Sequence, residues 1–134
     1  MKVQEFMTAD VEFVDADASV YDAVEKMVDR RIRSVVVRFP GKAIDNGVIT
    51  ARDVVNKVLA KGMDLRGIKA SEISSKPIVC VDRNTELNEA VTLMESSNIA
   101  RVFVCEGEKI VGVLALLDVM SASLIMRARG NYVS

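Results

Sequence analysis

The chain has 134 residues, half of them apolar and 28% charged, with 18 basic and 19 acidic side chains spread evenly along it. This is the make-up of a globular domain large enough to bury a core, and it lacks the basic excess that a general nucleic-acid surface needs. There is no histidine, which excludes triads built on a histidine base and histidine-ligated metal sites.

The opening segment, MKVQEFMTAD, carries Lys2, Glu5 and Asp10 and no apolar stretch of the secretory kind. No apolar run approaches the roughly 18 residues of a membrane span, so a cytoplasmic protein away from the membrane is expected. Val11 to Val14 reads as a short extended segment. Ser19 stands where an N-cap belongs, and Val20, Ala23, Val24, Met27 and Val28 then recur at helical spacing to form one apolar face. The strands SVVVR and NGVIT follow, flanking FPGKAID. Their continuous β-branched runs predict cover on both faces. A helix is predicted from Ala51 to Lys61, stopped by Gly62, and GMDLRGIKASEI (62–73) reads as a link.

The second half repeats this order. Ile78 to Val81 is extended, Thr85 stands as an N-cap, and Leu87, Ala90, Val91 and Met94 mark a helical face. RVFVC and IVGVLA flank EGEK, and a last helix runs from about Leu116 to Arg127, before Gly130. Met27 and Met94 fall on the apolar faces as core fillers. Cys80 and Cys105 lie in apolar alternating stretches without C-x-x-C spacing, which reads as a pair of reduced, buried thiols.

Residues 5–32 lie over 72–99 without a gap, matching Glu5, Val14, Asp15, Ala23, Val24, Met27 and Ile32 to Glu72, Val81, Asp82, Ala90, Val91, Met94 and Ile99. Past a hairpin two residues shorter in the second copy, Gly47, Val48, Asp53 and Val54 match Gly112, Val113, Asp118 and Val119. GVITARDV thus becomes GVLALLDV, keeping glycine and aspartate but losing the threonine. Two copies of a β-α-β-β-α unit make an α+β fold, and a pair with pseudo-two-fold symmetry is the natural assembly.

Thr50 and Asp53 sit at a strand-to-helix junction, where unpaired N–H groups favour anions. A threonine hydroxyl there can bond a phosphate oxygen, and a carboxylate can accept from both hydroxyls of a ribose. The pair suits a nucleoside phosphate. Thr-x-x-Asp is equally a near capping box, and the two roles are compatible. Arg30 and Arg31 read as a solvated helix end.

A tandem β-α-β-β-α pair in which each unit closes on G-h-h-x-x-x-D before a helix resembles the CBS domain, and the likeness spans about residues 5–127. The resemblance implies two units, 1–66 and 67–134, forming one Bateman module that regulates and does not catalyse. It implies an adenosine-containing ligand (AMP, ADP, ATP, NAD or S-adenosylmethionine), no required cofactor, a homodimer, and a regulated protein that the sequence does not identify. The homodimer would use the apolar faces around Val54, Val55, Val58 and Leu59 and around Met120, Leu124 and Ile125.

Carried over residue by residue, one cleft would take Val48, Thr50, Arg52 and Asp53 with Thr85, Ala90, Ile99 and Ala100 from the other copy; Ile32 or Ile99 would wall the adenine. The second would take Arg101, Ala115, Leu117 and Asp118, facing Ala18, Ala23 and the backbone near Arg33 and Ser34. An arginine at the position of Arg101 reaches the nucleotide phosphate in many CBS pairs. Ala115 and Leu117 depart from the family's polar pattern, and Ser34 stands where copy two has Arg101. The Thr50/Asp53 cleft is therefore expected to be the better nucleoside site. The competing expectation is a dimerisation module with vestigial clefts and no nucleotide binding.

Overall fold

The computed structural model describes residues 1–130 as two compact units, one formed by Val11–Ile78 and the other by Met1–Asp10 together with the chain from Val79 onward. In the first, β1 (Phe13–Asp15) leads through Ser19 into α1 (Val20–Arg30). Ser19 is the N-cap, its hydroxyl accepting the Asp22 N–H at 3.3 Å. β2 (Ser34–Arg38) and β3 (Gly47–Thr50) follow, then α2 (Ala51–Lys57) and α3 (Ala70–Ile73). β2 lies between β1, to which it is parallel, and β3, to which it is antiparallel. Val35, Val36 and Val37 are all buried, as the continuous β-branched run predicts.

Two expectations change here. α2 ends at Lys57, and a 3-10 turn over Leu59–Lys61 carries the chain to Gly62, which takes the left-handed conformation at φ 66°. The segment read as a link is structured: a 3-10 turn spans Leu65–Gly67, α3 follows, and Ile68, Ala70 and Ile73 are buried in this unit's core. Burial of those three apolar side chains outweighs the Gly-rich punctuation that suggested a linker.

The other unit contains β4 (Cys80–Val81), α4 (Leu87–Ser96), β5 (Arg101–Glu106), β6 (Lys109–Ala115) and α5 (Leu116–Ala128). Its sheet has the same pattern, β5 lying parallel to β4 and antiparallel to β6. Thr85 is not the N-cap of α4. Glu86 occupies that position without a side-chain cap bond, while the Thr85 hydroxyl accepts the Asp82 N–H and closes the preceding turn. Met27 and Met94 are core residues, as their helical faces predict.

Cys80 and Cys105 are joined in a disulfide, which overturns the expectation of free thiols. Cys80 pairs with Phe103 in the parallel register, and a bulge at Val104/Cys105 reorganises the strand just beyond it. The two Cα atoms come within 5.7 Å, inside the range a disulfide spans. The two cysteines lie 25 positions apart with no signature spacing, so the pairing was not visible from the two positions alone.

The compact units do not follow the sequence repeats, because each acquires its neighbour's lead segment along the chain. Val48 and Ser75 exchange backbone hydrogen bonds of 3.0 and 2.9 Å, and the Ala70 N–H reaches the Ala18 carbonyl at 2.7 Å. In the other unit Thr8 and Val113 exchange bonds of 2.9 Å in both directions, while the Leu87 N–H reaches the Met1 carbonyl at 2.9 Å. The repeated glycine now has a physical cause. A Cβ on Gly112 would stand 2.6 Å from the Met7 sulfur and 3.2 Å from the Thr8 carbonyl oxygen, and one on Gly47 would stand 3.1 Å from the Ser74 side chain. Each glycine lets the lead segment cross close to its strand.

An exposed ion pair adds to this anchoring, Lys2 Nζ lying 2.5 Å from Glu86 Oε1 and the N-terminal amine 3.2 Å from Oε2. The hydrogen bond from Lys2 holds the Glu86 carboxyl below its ordinary range, helped by the N-terminal amine. Its small contribution is therefore present above the unfolded carboxyl value and fades as pH falls through the lowered one.

Candidate functional site

Thr50 ends β3 and is the N-cap of α2, which places its side chain and that of Asp53 on the same turn. The capping box is complete: the Asp53 N–H donates to Thr50 Oγ1 at 3.1 Å, and the Thr50 N–H donates to Asp53 Oδ2 at 2.9 Å. The Ala51 N–H is bonded to the Arg33 carbonyl at 2.9 Å. Two of the helix-start donors that the sequence reading offered to a phosphate are thus already used. The Thr50 hydroxyl hydrogen remains, because its oxygen acts as the acceptor in the cap.

The second carboxylate oxygen of Asp53 has a different neighbour. Lys57 Nζ lies 3.3 Å from Asp53 Oδ1 and donates to the Ile73 carbonyl at 3.1 Å. The Asp53 side chain is only 17% exposed, so this ion pair is less screened than an ordinary surface pair. Lys57 was not among the residues that motif reasoning found. Its i,i+4 relation to Asp53 was the available signal.

The other expected residues of this unit lie around the same junction. Ser34 faces Thr50 across the β2–β3 ladder, Val48 is half-buried on β3, and Arg33 and Arg52 are exposed.

In the second unit Asp118 repeats half of the arrangement. The Ala115 N–H donates to Asp118 Oδ2 at 2.8 Å, so the backbone bond survives without the threonine. The other carboxylate oxygen has a partner from far along the chain, Thr8 Oγ1 donating to Asp118 Oδ1 at 3.2 Å. Arg101 begins β5 opposite Ala115, and the Ala100 carbonyl accepts the Leu116 N–H at 3.1 Å. Ile99 packs half-buried against this unit's core, Thr85 sits in the turn before α4, and Ala90 is fully buried within the core.

The apolar faces divide. Val54 and Val58 belong to the core of their unit and are not available as a surface, whereas Val55 and Leu59 are about half exposed. On α5, Leu117, Met120 and Leu124 are 70%, 63% and 71% exposed, and Ile125 joins them at 41%. Among the described residues no helix is long and apolar enough to cross a membrane, and no cluster of acidic and cysteine side chains could hold a metal ion.

The family model for the CBS domain matches residues 3–60 and again 70–125. The chain belongs to the CBS-domain family. It is a tandem CBS pair. An uncharacterised protein of Methanocaldococcus jannaschii is 32% identical over 110 residues, covering 80% of this CBS pair and 58% of the relative. An uncharacterised protein of Methanopyrus kandleri is 35% identical over 96 residues, covering 71% and 48%. The pair thus spans about half the length of these curated relatives. A CBS domain protein from Pyrobaculum aerophilum, solved in complex with AMP, shares the fold with a TM-score of 0.80 at 22% identity, over 96% of this pair and 99% of that chain.

Proposed function

We propose that this CBS pair senses an adenosine-containing ligand and passes its state to a partner protein. The observation that carries the reading is the division of labour at Asp53. One carboxylate oxygen closes the helix cap, and the other is free of backbone bonds and held beside an ammonium group. A carboxylate preorganised in this way can accept ribose hydroxyls without first being desolvated or reoriented. The Thr50 hydroxyl and the exposed Arg52 guanidinium supply donors for a phosphate, with Val48 as apolar wall for the base. The AMP complex of a protein with the same fold supports adenosine as the common element of the ligand.

The homodimer enters the same reading. Leu117, Met120 and Leu124 form an apolar stripe on α5 at helical spacing, of the kind that protein contacts cover. A dimer joined there would let ligand binding alter the surface shown to the regulated protein.

Thermal unfolding with AMP, ADP, ATP, NAD and S-adenosylmethionine tests the proposal. A true ligand at 100 times its dissociation constant is expected to stabilise the fold by about 2.7 kcal/mol. For a chain of this length that is a rise on the order of 8 °C. Identical melting curves with all five compounds would favour the dimerisation module without a nucleotide site.

A further inference from the structure

The carboxylates of Asp53 and Asp118 are held alike through one oxygen and differently through the other. Each Oδ2 accepts the N–H of the residue three positions earlier, at 2.9 and 2.8 Å. The neighbour of Oδ1 is charged in one unit, where Lys57 stands at 3.3 Å, and neutral in the other, where Thr8 donates at 3.2 Å. The sequence equivalent of Lys57 is Ala122, which is wholly buried and has no polar group to offer. Lys57 is also tethered, its ammonium donating a hydrogen bond to the Ile73 carbonyl at 3.1 Å. That tether holds the ammonium beside the carboxylate, restraining the long side chain that would otherwise sample many rotamers.

Resting on the reading of Asp53 as the ribose acceptor, we propose that Lys57 sets the charge of the ligand, selecting phosphorylated nucleosides over cationic ones. An isolated carboxylate repels a phosphate and attracts a sulfonium. An ammonium held at ion-pair distance cancels both effects, and the exposed Arg52 guanidinium then tips the balance towards anions. Lys57 need not leave for the sugar to bind. A carboxylate oxygen has room for two donors, so Oδ1 can hold the ammonium and a ribose hydroxyl together. An ammonium has three N–H groups, and the Ile73 carbonyl accepts from one of them. The charge at issue belongs to the side chain and not to the helix start, whose Ala51 and Asp53 N–H groups are already bonded.

The test is calorimetric titration of the full chain and of Lys57→Met and Lys57→Arg with AMP, adenosine and S-adenosylmethionine. Lys57→Met is expected to weaken AMP by about three- to tenfold, leave adenosine within about twofold and tighten S-adenosylmethionine, while Lys57→Arg keeps the original ranking. A merely structural lysine would not invert the preference between ligands. Equal losses for all three compounds, or an unchanged ranking, would overturn the role of Lys57 while leaving the ribose site intact. If the unmodified chain binds none of the three, the ribose reading falls and this one with it.

Discussion

Asp53→Asn is expected to weaken binding of the adenosyl ligand by roughly ten- to a hundredfold while leaving the fold in place. The estimate follows from what the substitution removes. Hydrogen bonds to a charged acceptor contribute about 1.5–3 kcal/mol each, and every 1.4 kcal/mol is a factor of ten in affinity. An asparagine oxygen can still accept the Thr50 N–H, and the Thr50 hydroxyl still accepts the backbone N–H of residue 53, so the cap survives. The loss of helix-dipole compensation and of the Lys57 pair is expected to lower stability by only about 1 kcal/mol. The same change at Asp118 is expected to reduce binding by less than about threefold, because a neutral threonine and the apolar Ala115 and Leu117 surround a weaker nucleoside site. Affinity measured by titration, beside the melting temperature of each variant, separates the effects. Unchanged affinity in Asp53→Asn would reduce the Thr50/Asp53 pair to a helix cap.

Val3→Asp is expected to cost about 3–5 kcal/mol of stability. Val3 is completely buried in a cluster with Leu87, Ala90, Val102 and Leu114. Its backbone N–H is bonded to the Thr85 carbonyl at 2.9 Å, which prevents the segment from simply turning the new carboxylate outward. The carboxyl group must either be buried without a partner or pull the first ten residues off the sheet. Leaving would also break the Thr8 ladder with Val113 and the Thr8 bond to Asp118. Thermal unfolding is expected to show a fall on the order of 10 °C or more, against at most a few degrees for Val3→Ile. A Val3→Asp protein that melts within a degree or two of the original would show that the lead segment contributes little to its unit.

What the sequence revealed and concealed has a common physical basis. Both sheets and the faces of α1 and α4 were legible because periodic apolar patterns report local burial, and the repeat recorded them twice. The exchanged lead segments were not legible. MKVQEF has one deeply buried residue, Val3, and makes its contacts across more than 80 positions, as in the pairing of Lys2 with Glu86. Such pairings leave no periodic trace. The same holds for the Thr8–Asp118 hydrogen bond, which spans 110 positions. The disulfide joins cysteines 25 positions apart with no spacing signature, and the cap of α4 rests on a turn in which Thr85 serves Asp82 in preference to the helix. At the candidate site, Thr50 and Asp53 were found because motif and capping chemistry coincide there. Lys57 was overlooked because an i,i+4 ion pair on a helix is too common to single out a residue.

The most direct test of the nucleotide-sensing account is the stoichiometry of AMP binding to the unmodified chain, measured by calorimetric titration at physiological salt. The account predicts one dominant site per chain, weakened roughly ten- to a hundredfold in Asp53→Asn and changed by less than about threefold in Asp118→Asn. No heat of binding with AMP or with the other adenosyl ligands, or a site that survives Asp53→Asn unchanged, would contradict it.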